Sequence, residues 1–224
     1  GGNESNLACD LAVIADHAGV GQVGAGVGSG AAGGAPQWLP ITVGDRRARY
    51  MLMTNRRIPA YQALEWGLVN QVVPSVKKDG AFIEHATPEQ IAQAQKGADG
   101  YSIDLSKLDE AVDALAQELV DKFAECIRFT KEQINFWKNF GWHQTIGPAR
   151  DWLSIHYTSW EPLEGMSAFV EKRPARYRML RERAAQGKSS EFIWGAYEKT
   201  CPSCGAKAMP EEFTHCGVCG ADLK

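Results

Sequence analysis

The chain has little that would mark it for a membrane, a nucleic acid or an oxidising compartment. No apolar run approaches the roughly 20 residues that a membrane-spanning helix needs, and no signal-peptide pattern is present. Lys and Arg number 24 against 27 Asp and Glu, a net charge of −3, so there is no basic excess to bind a polyanion. No internal repeat is visible. There are only six cysteines, and four of them fall in the last two dozen residues. Cys9 and Cys126 stand in apolar contexts and are expected to be buried free thiols, a usage that fits the cytoplasm. The first residues are Gly1-Gly2-Asn3-Glu4, without Met, a preceding strand or a cap. The sequence therefore reads as a piece that opens inside a fold.

The late cysteines are the most specific signal. Cys201-Pro-Ser-Cys204-Gly and Cys216-Gly-Val-Cys219-Gly are two CxxC pairs with eleven residues between them. Each pair turns two sulfurs to one side, and the glycine after it permits the tight turn. Four thiolates make the closed tetrahedral shell of a structural zinc, with no open position for catalysis. The alternatives are two disulfides or a redox CxxC. His215 is an alternative ligand, which the symmetric spacing disfavours.

Elsewhere, Glu4 to Asp10 reads as a short helix and Leu11 to Ala15 as a strand covered on both faces. Eight glycines between Gly19 and Gly34 deny that segment regular structure. Gly24-x-Gly26-x-Gly28 lacks the strand–loop–helix context of a dinucleotide loop. Pro36 starts a helix that Gly44 ends, and Asp45 is expected to cap the next. Pro59 to Trp66 is a third helix, stopped by Gly67, and Leu68 to Val73 an extended exit. Residues 75–105 read as a surface insertion with one helix capped by Thr87. Ser106 is expected to cap a helix with a buried stripe of Leu108, Val112, Leu115 and Leu119 running on towards Phe140. A second helical stretch is expected over Ile146 to Glu164 and a third from Gly165 into the basic segment Arg173 to Arg183. This gives a main domain over 1–185, a linker over 186–200 and a zinc ribbon over 201–224.

Several segments, in order, resemble the crotonase (enoyl-CoA hydratase/isomerase) superfamily: Gly1-Gly2-Asn3-Glu4, Ala8-Cys9-Asp10-Leu11, Gly21-Gln22, Gly33 to Pro40, Ile58 to Ala63, Gly67 to Pro74 and Glu164 to Arg173. The resemblance implies an α/β fold, the C-terminal part of a ClpP/crotonase-like spiral with a helical trimerisation region. It implies a homo-trimer or hexamer acting on an acyl-CoA, with no nucleic acid or membrane partner. Gly28 to Ala35, the insertion and Ile103 to Glu110 look most like the ring-opening hydrolase branch, which acts on alicyclic acyl-CoA thioesters.

The same resemblance assigns roles. Gly1 donates a backbone N–H to the thioester oxyanion, Glu4 stands at the first hydratase glutamate, and Ser29 is a candidate hydrogen-bond donor to water or substrate. Gly1, Gly2, Gln22, Gly24, Phe169 and Lys172 fall on substrate- or coenzyme-A-binding positions. The second hydratase glutamate is replaced by Gly24, so one carboxylate would have to serve as both acid and base. The naphthoyl-CoA synthase branch also has Gly there, but its Asp and Tyr fall on Ala31 and Gly34. Three readings follow: a ring-opening hydratase or hydrolase, a plain enoyl-CoA hydratase or isomerase (a lyase-type reaction) using Glu4, or a non-catalytic fragment whose zinc ribbon binds a partner protein. Without the resemblance, Glu4 is an ordinary first-turn helix residue.

Overall fold

The computed structural model describes residues 1–188 and 194–223. They divide into two compact units, one of residues 1–23 and 31–147, the other of 24–30 and 148–224. Residues 189–193 of the expected linker lie outside the described residues.

In the first unit, the glutamate near the chain start favours helix α1 (Gly2–Ala8), which it enters in the first turn. The apolar run that follows becomes β1 (Val13–Ala15), and β2 (Gly19–Val20) comes next. Pro36 sits in the first turn of α2 (Ala35–Val43), and Gly44, at φ 83°, separates it from α3 (Asp45–Thr54). The expected cap at Asp45 is corrected: Gly44 occupies the N-cap, and Asp45 is the first helical residue, paired with Arg49 at 2.8 Å. After β3 (Ile58–Pro59) and α4 (Ala60–Glu65), Gly67 turns at φ 77° into β4 (Gln71–Val73). β1 and β4 run parallel with Val13 opposite Gln71 and Ala15 opposite Val73. The connection between them winds α2, α3 and α4 around one core. Leu7, Leu39, Met51, Ile58, Ala63 and Leu68 fill it, with Leu39, Met51 and Ile58 fully buried. That burial stabilises the unit by about 1.5–3 kcal/mol for each large side chain.

The insertion proves more ordered than its composition suggests. β5 (Val76–Lys78) pairs antiparallel with β6 (Ala81–Phe82) and, after α5 (Pro88–Lys96), with β7 (Tyr101–Ile103). Thr87 caps α5 as expected, in a reciprocal capping box with Gln90. The sheet was not legible because its strands are two or three residues long and carry lysines. Ser75 joins the insertion to the core, its amide and hydroxyl both donating to the buried Asp16 at 2.9 and 2.5 Å.

α6 (Ser106–Val120) corrects two expectations. Leu105 occupies its N-cap without a side-chain cap bond, and Ser106 is already helical, its amide donating to Asp104 Oδ1 at 2.8 Å. None of its residues is buried, and Val112 and Leu119 are exposed. The apolar stripe is only partly covered: Leu108 and Leu115 are half-buried where α6 meets β1 and β4. α7 (Ala124–His156) then runs as one helix through Gly141, Gly147 and Pro148, where a break near Phe140 had been expected. Phe123, just before it, and Phe136, Trp137 and Trp152 are all exposed. Cys9 and Cys126 are exposed too, against the expectation of buried thiols: Cys9 caps the end of α1, and Cys126 lies in the uncovered first turn of α7.

In the second unit, a 3-10 turn (Gly24–Gly26) opens the glycine loop. α8 (Trp160–Val170) and α9 (Tyr177–Ala185) are separate helices, so the expected single stretch from Gly165 is broken at 171–176. The break is built around Glu164. Its carboxylate is 4% exposed and takes Arg173 at 2.6 Å, Arg176 at 2.8 Å and the Arg176 amide at 2.9 Å. The Arg173 and Arg176 hydrogen bonds hold Glu164 far below its ordinary value of 4.5. A depressed carboxylate stabilises the fold above its unfolded value and loses that contribution as pH falls through its folded value. Glu164→Gln should therefore cost about 2–3 kcal/mol at neutral pH. The gap between wild type and variant should persist down to about pH 5 and close only in strong acid. Urea unfolding at a series of pH values measures it; an equal gap at all pH values would contradict the assignment.

β8 (Tyr197–Lys199) and β9 (Met209–Pro210) pair in the cysteine module, whose small core is Cys201, Met209, Cys216 and Leu223.

Candidate active site and metal centre

The first cluster forms on the exposed side of α1. Glu4 Oε1 accepts from Gln22 Nε2 and from the Gly33 amide, both at 3.2 Å. Gln22 is itself buried and accepts from Asn3 Nδ2 at 3.1 Å. The carboxylate is thus oriented through two side chains and one backbone amide, while its side chain keeps 22% exposure. Glu4 Oε2 lies 3.7 Å from the Gly1 nitrogen. No atom of the described residues lies within 4 Å of a Cβ built at Gly1 or Gly2.

Sequence reasoning missed Asn3 and Gly33. A Cβ at Gly33 would lie 2.7 Å from the Glu4 carboxylate, so only glycine lets the amide reach it. The signal was the glycine pair after Ala32, which reads as turn chemistry until Glu4 is placed beside it. Gln22, assigned to coenzyme binding, here supports Glu4.

Gly24 and Ser29 belong to the second unit. Ser29 Oγ lies 2.8 Å from the Tyr157 hydroxyl, and His156 Nε2 meets the Gly28 carbonyl at 3.0 Å. Tyr177 donates to the Gly26 carbonyl at 2.8 Å. Two helix ends therefore hold the glycine loop. Gly165 is part of the reason they can: a Cβ there would run into the Val27 backbone. Tyr157 was read only as an aromatic of a helical stretch. Phe169 is exposed, with the Lys172 ammonium 4.6 Å above its ring.

A groove of about 620 Å³ lies in the first unit beside Cys9–Ala12 and α7. None of the site residues expected from the sequence lines it. Lys131 pairs there with Asp10 at 2.5 Å, and Lys138 donates to the Leu7 carbonyl at the end of α1.

The four late cysteines do converge. Their sulfurs all lie within 4.8 Å of one another, with Cys201–Cys219 at 3.6 Å and Cys204–Cys216 at 3.7 Å. A tetrahedron of sulfurs about 2.3 Å from a zinc ion has edges of about 3.8 Å, so the cage has the right size. Gly205 and Gly220, at φ 71° and 75°, close the two knuckles. Amides of Cys204, Val218 and Cys219 point at Cys201 or Cys216 sulfurs from 3.4–3.5 Å. The Cys219 amide leads in holding the Cys216 thiol down to about 6. The Ala206 amide acts the same way on Cys204, but the thiols of Cys219, Cys201 and Cys216, together with burial, push it up to about 12. Four thiolates cannot share so small a space unless a cation balances them. His215 stands apart, its Nδ1 3.0 Å from the Thr214 hydroxyl. These four cysteines could hold a metal ion.

Comparisons with known proteins agree with this architecture. The enoyl-CoA hydratase/isomerase family matches residues 1–98. A 6-oxocyclohex-1-ene-1-carbonyl-CoA hydrolase of Thauera aromatica is 31% identical over 212 residues, 84% of this chain and 56% of that protein. One of Geobacter metallireducens is 30% identical over 195 residues, 76% of this chain and 50% of that protein. The chain spans about half the length of the curated relatives it matches. Among solved structures, an enoyl-CoA hydratase of Mycobacterium avium subsp. paratuberculosis K-10 superposes with a TM-score of 0.59 at 24% identity, covering 78% of this chain and 59% of that one. A carnitinyl-CoA hydratase of Mycobacterium avium gives 0.61 at 21% identity, covering 80% and 58%. Among the described residues no helix is long and apolar enough to cross a membrane. With its α/β architecture and these relatives, the chain has the crotonase fold, and its residues 1–98 carry a domain of the enoyl-CoA hydratase/isomerase (crotonase) superfamily.

Proposed function

We propose that the protein acts on an alicyclic enoyl- or oxo-acyl-CoA, adding water and opening the ring through an enolate. The observation that carries this is Glu4: a carboxylate fixed by Gln22 and the Gly33 amide, beside Gly1 and Gly2. Gly1 supplies one N–H to the thioester oxygen. Such donors are worth about 3–4 kcal/mol each in comparable oxyanion holes. Glu4 holds the attacking water, takes its proton as the hydroxyl bonds to the β-carbon, and returns it to the α-carbon of the enolate. Ring opening takes a second water at the ring carbonyl, whose bond to the α-carbon breaks with its electron pair left on the thioester enolate. Ser29, paired with Tyr157, is a hydroxyl donor for a second substrate oxygen, and Gln22 keeps Glu4 in place. Gly1 and Gly2 leave room for the thioester, and Phe169 and Lys172, by the resemblance, offer an aromatic face and a cation to the adenine and phosphates of a coenzyme held by a neighbouring subunit.

The four-cysteine cluster holds a structural zinc, supported by its sulfur spacing. As a closed shell, it leaves Glu4 and its neighbours to perform the chemistry. The protein works in the cytoplasm, where free thiols such as Cys9 and Cys126 persist.

The full-length protein, assayed with a cyclic and a linear enoyl-CoA, separates ring opening from plain hydration. Gly24→Glu should suppress the cyclic substrate by crowding the space at position 24. A rise in linear hydration with the cyclic rate intact would instead favour a degraded hydratase.

A trimer or hexamer completes the proposal, because α7 and α8 expose Phe136, Trp137, Trp152 and Phe169. Trp160 of α8 is half-buried beside Trp194 and adds little to this surface. Light scattering of the full-length protein at micromolar concentration should give three or six chains per particle; a clean monomer would contradict it.

A further inference from the structure

The segment between the two cysteine pairs is tied at both ends to other parts of its unit. On one side Phe213 packs on the core of Cys201, Met209, Cys216 and Leu223, and its carbonyl accepts from Lys199 Nζ at 2.9 Å. On the other side stand α8 and α9. Arg183 of α9 donates to Glu212 at 2.6 Å and to Glu211 at 3.4 Å, and Lys188 pairs with Glu211 at 2.6 Å. The Glu211 and Glu212 amides donate to the Ala196 and Trp194 carbonyls at 2.8 and 2.9 Å. Gly195 allows this approach: a Cβ there would lie 2.6 Å from Glu211 Cβ.

Aromatic rings follow the same path. The Arg183 guanidinium sits 5.7 Å above the Trp160 ring of α8. Trp160 meets Trp194 edge-on at 6.4 Å, and Trp194 meets Phe213 at 6.4 Å. A continuous set of contacts therefore runs from the sulfur cage through Phe213 and Glu211–Glu212 to Arg183, and so to α8 and α9.

Arg183 gives this path its energetic weight. Its side chain is 14% exposed, so its charge has lost most of its water. Glu211 and Glu212 offset that loss. Without them a mostly buried cation would be left unpaired, which is costly. The two glutamates are held by a short segment bounded by Cys204 and Cys216. The module's own core is small, so the sulfur cage is the main constraint on where the glutamates stand.

We propose that metal occupancy of the four-cysteine cage is coupled to the packing of α8 and α9 through a clamp made by Arg183 on Glu211 and Glu212. The proposal rests on the metal reading above. With the cage filled, the glutamates are a fixed counter-charge for Arg183, and α9 docks. With the cage empty, the segment loosens, Arg183 loses its partners and α9 loosens with it. Linkage makes the effect reciprocal: weakening the clamp weakens metal binding by the factor through which metal strengthens the clamp.

The test uses the whole chain, loaded with zinc and then stripped with a chelator. Zinc content is measured first. Hydrogen exchange over residues 177–188 and tryptophan emission are then followed in wild type, Arg183→Gln and the milder Glu212→Gln. In wild type, stripping should speed exchange in α9 by about tenfold or more and red-shift the emission. Arg183→Gln should still take up one zinc, with affinity lowered about 5–50-fold, and exchange quickly in α9 whether loaded or stripped. Glu212→Gln should fall between. A chain that takes up no zinc sinks the metal reading itself. A chain that takes up zinc while α9 exchanges at one rate, loaded or stripped, overturns the coupling alone, as does an Arg183→Gln variant that responds like wild type.

Discussion

Replacing Glu4 by Gln in the full-length protein is expected to lower turnover of a cyclic enoyl-CoA by roughly 10²–10⁴-fold, while binding of the coenzyme portion stays nearly unchanged. Gln keeps the volume of Glu, and its amide oxygen can still accept from Gln22 and the Gly33 amide, as Glu4 Oε1 does now. What it loses is the capacity to take a proton. At position 24, where hydratases carry a second carboxylate, this chain has glycine, so no other acid at that position makes up the loss. Steady-state kinetics with the acyl-CoA, beside calorimetry with free coenzyme A, separates the two effects. If the rate is unchanged, Glu4 is only a helix-start residue that favours the first turn of α1, and the catalytic assignment falls. Gln22→Ala should show a smaller loss, because it frees Glu4 to rotate without removing the base.

Stripping the metal is expected to unfold the cysteine module. Among the described residues its hydrophobic core is Cys201, Met209, Cys216 and Leu223, and two of these are proposed ligands. So small a core supplies little stability alone, while zinc in comparable modules contributes about 10–16 kcal/mol of apparent folding free energy. Elemental analysis should find one zinc per chain, and a cobalt-substituted sample should show the visible bands of tetrahedral thiolate coordination. Cys201→Ser should abolish both. Metal content below about half an equivalent in the wild type, or unchanged in the variant, would rule out the site.

The cysteine module was the easiest part to read because its chemistry is local: two pairs at fixed spacing dictate a cage whatever surrounds them. The helix at Pro36 and the capping box at Thr87 were legible for the same reason, since caps and prolines act within one turn. Reading failed where an outcome depends on distant chain. The Leu108–Leu119 stripe has helical spacing, but burial depends on the partner surface: Leu108 and Leu115 are half-buried where α6 meets β1 and β4, while Val112 and Leu119 stay exposed. The strands of the insertion are too short to alternate. Asn3 and Gly33 are separated by thirty positions and meet only once α1 and the glycine loop fold together around Glu4. Tyr157, far along the sequence from Ser29, carries no local mark of its hydrogen bond. Family likeness pointed to Glu4, Gln22 and Ser29, but not to Asn3, Gly33 or Tyr157, which hold them.

The two oxygens of Glu4 are not equivalent. Oε1 is occupied by Gln22 and the Gly33 amide, while Oε2 faces the nitrogen of Gly1 at 3.7 Å. If Glu4 is the base proposed above, the water it holds sits on the Oε2 side and reaches an enoyl group from one face, so a prochiral ring is expected to be hydrated to a single enantiomer.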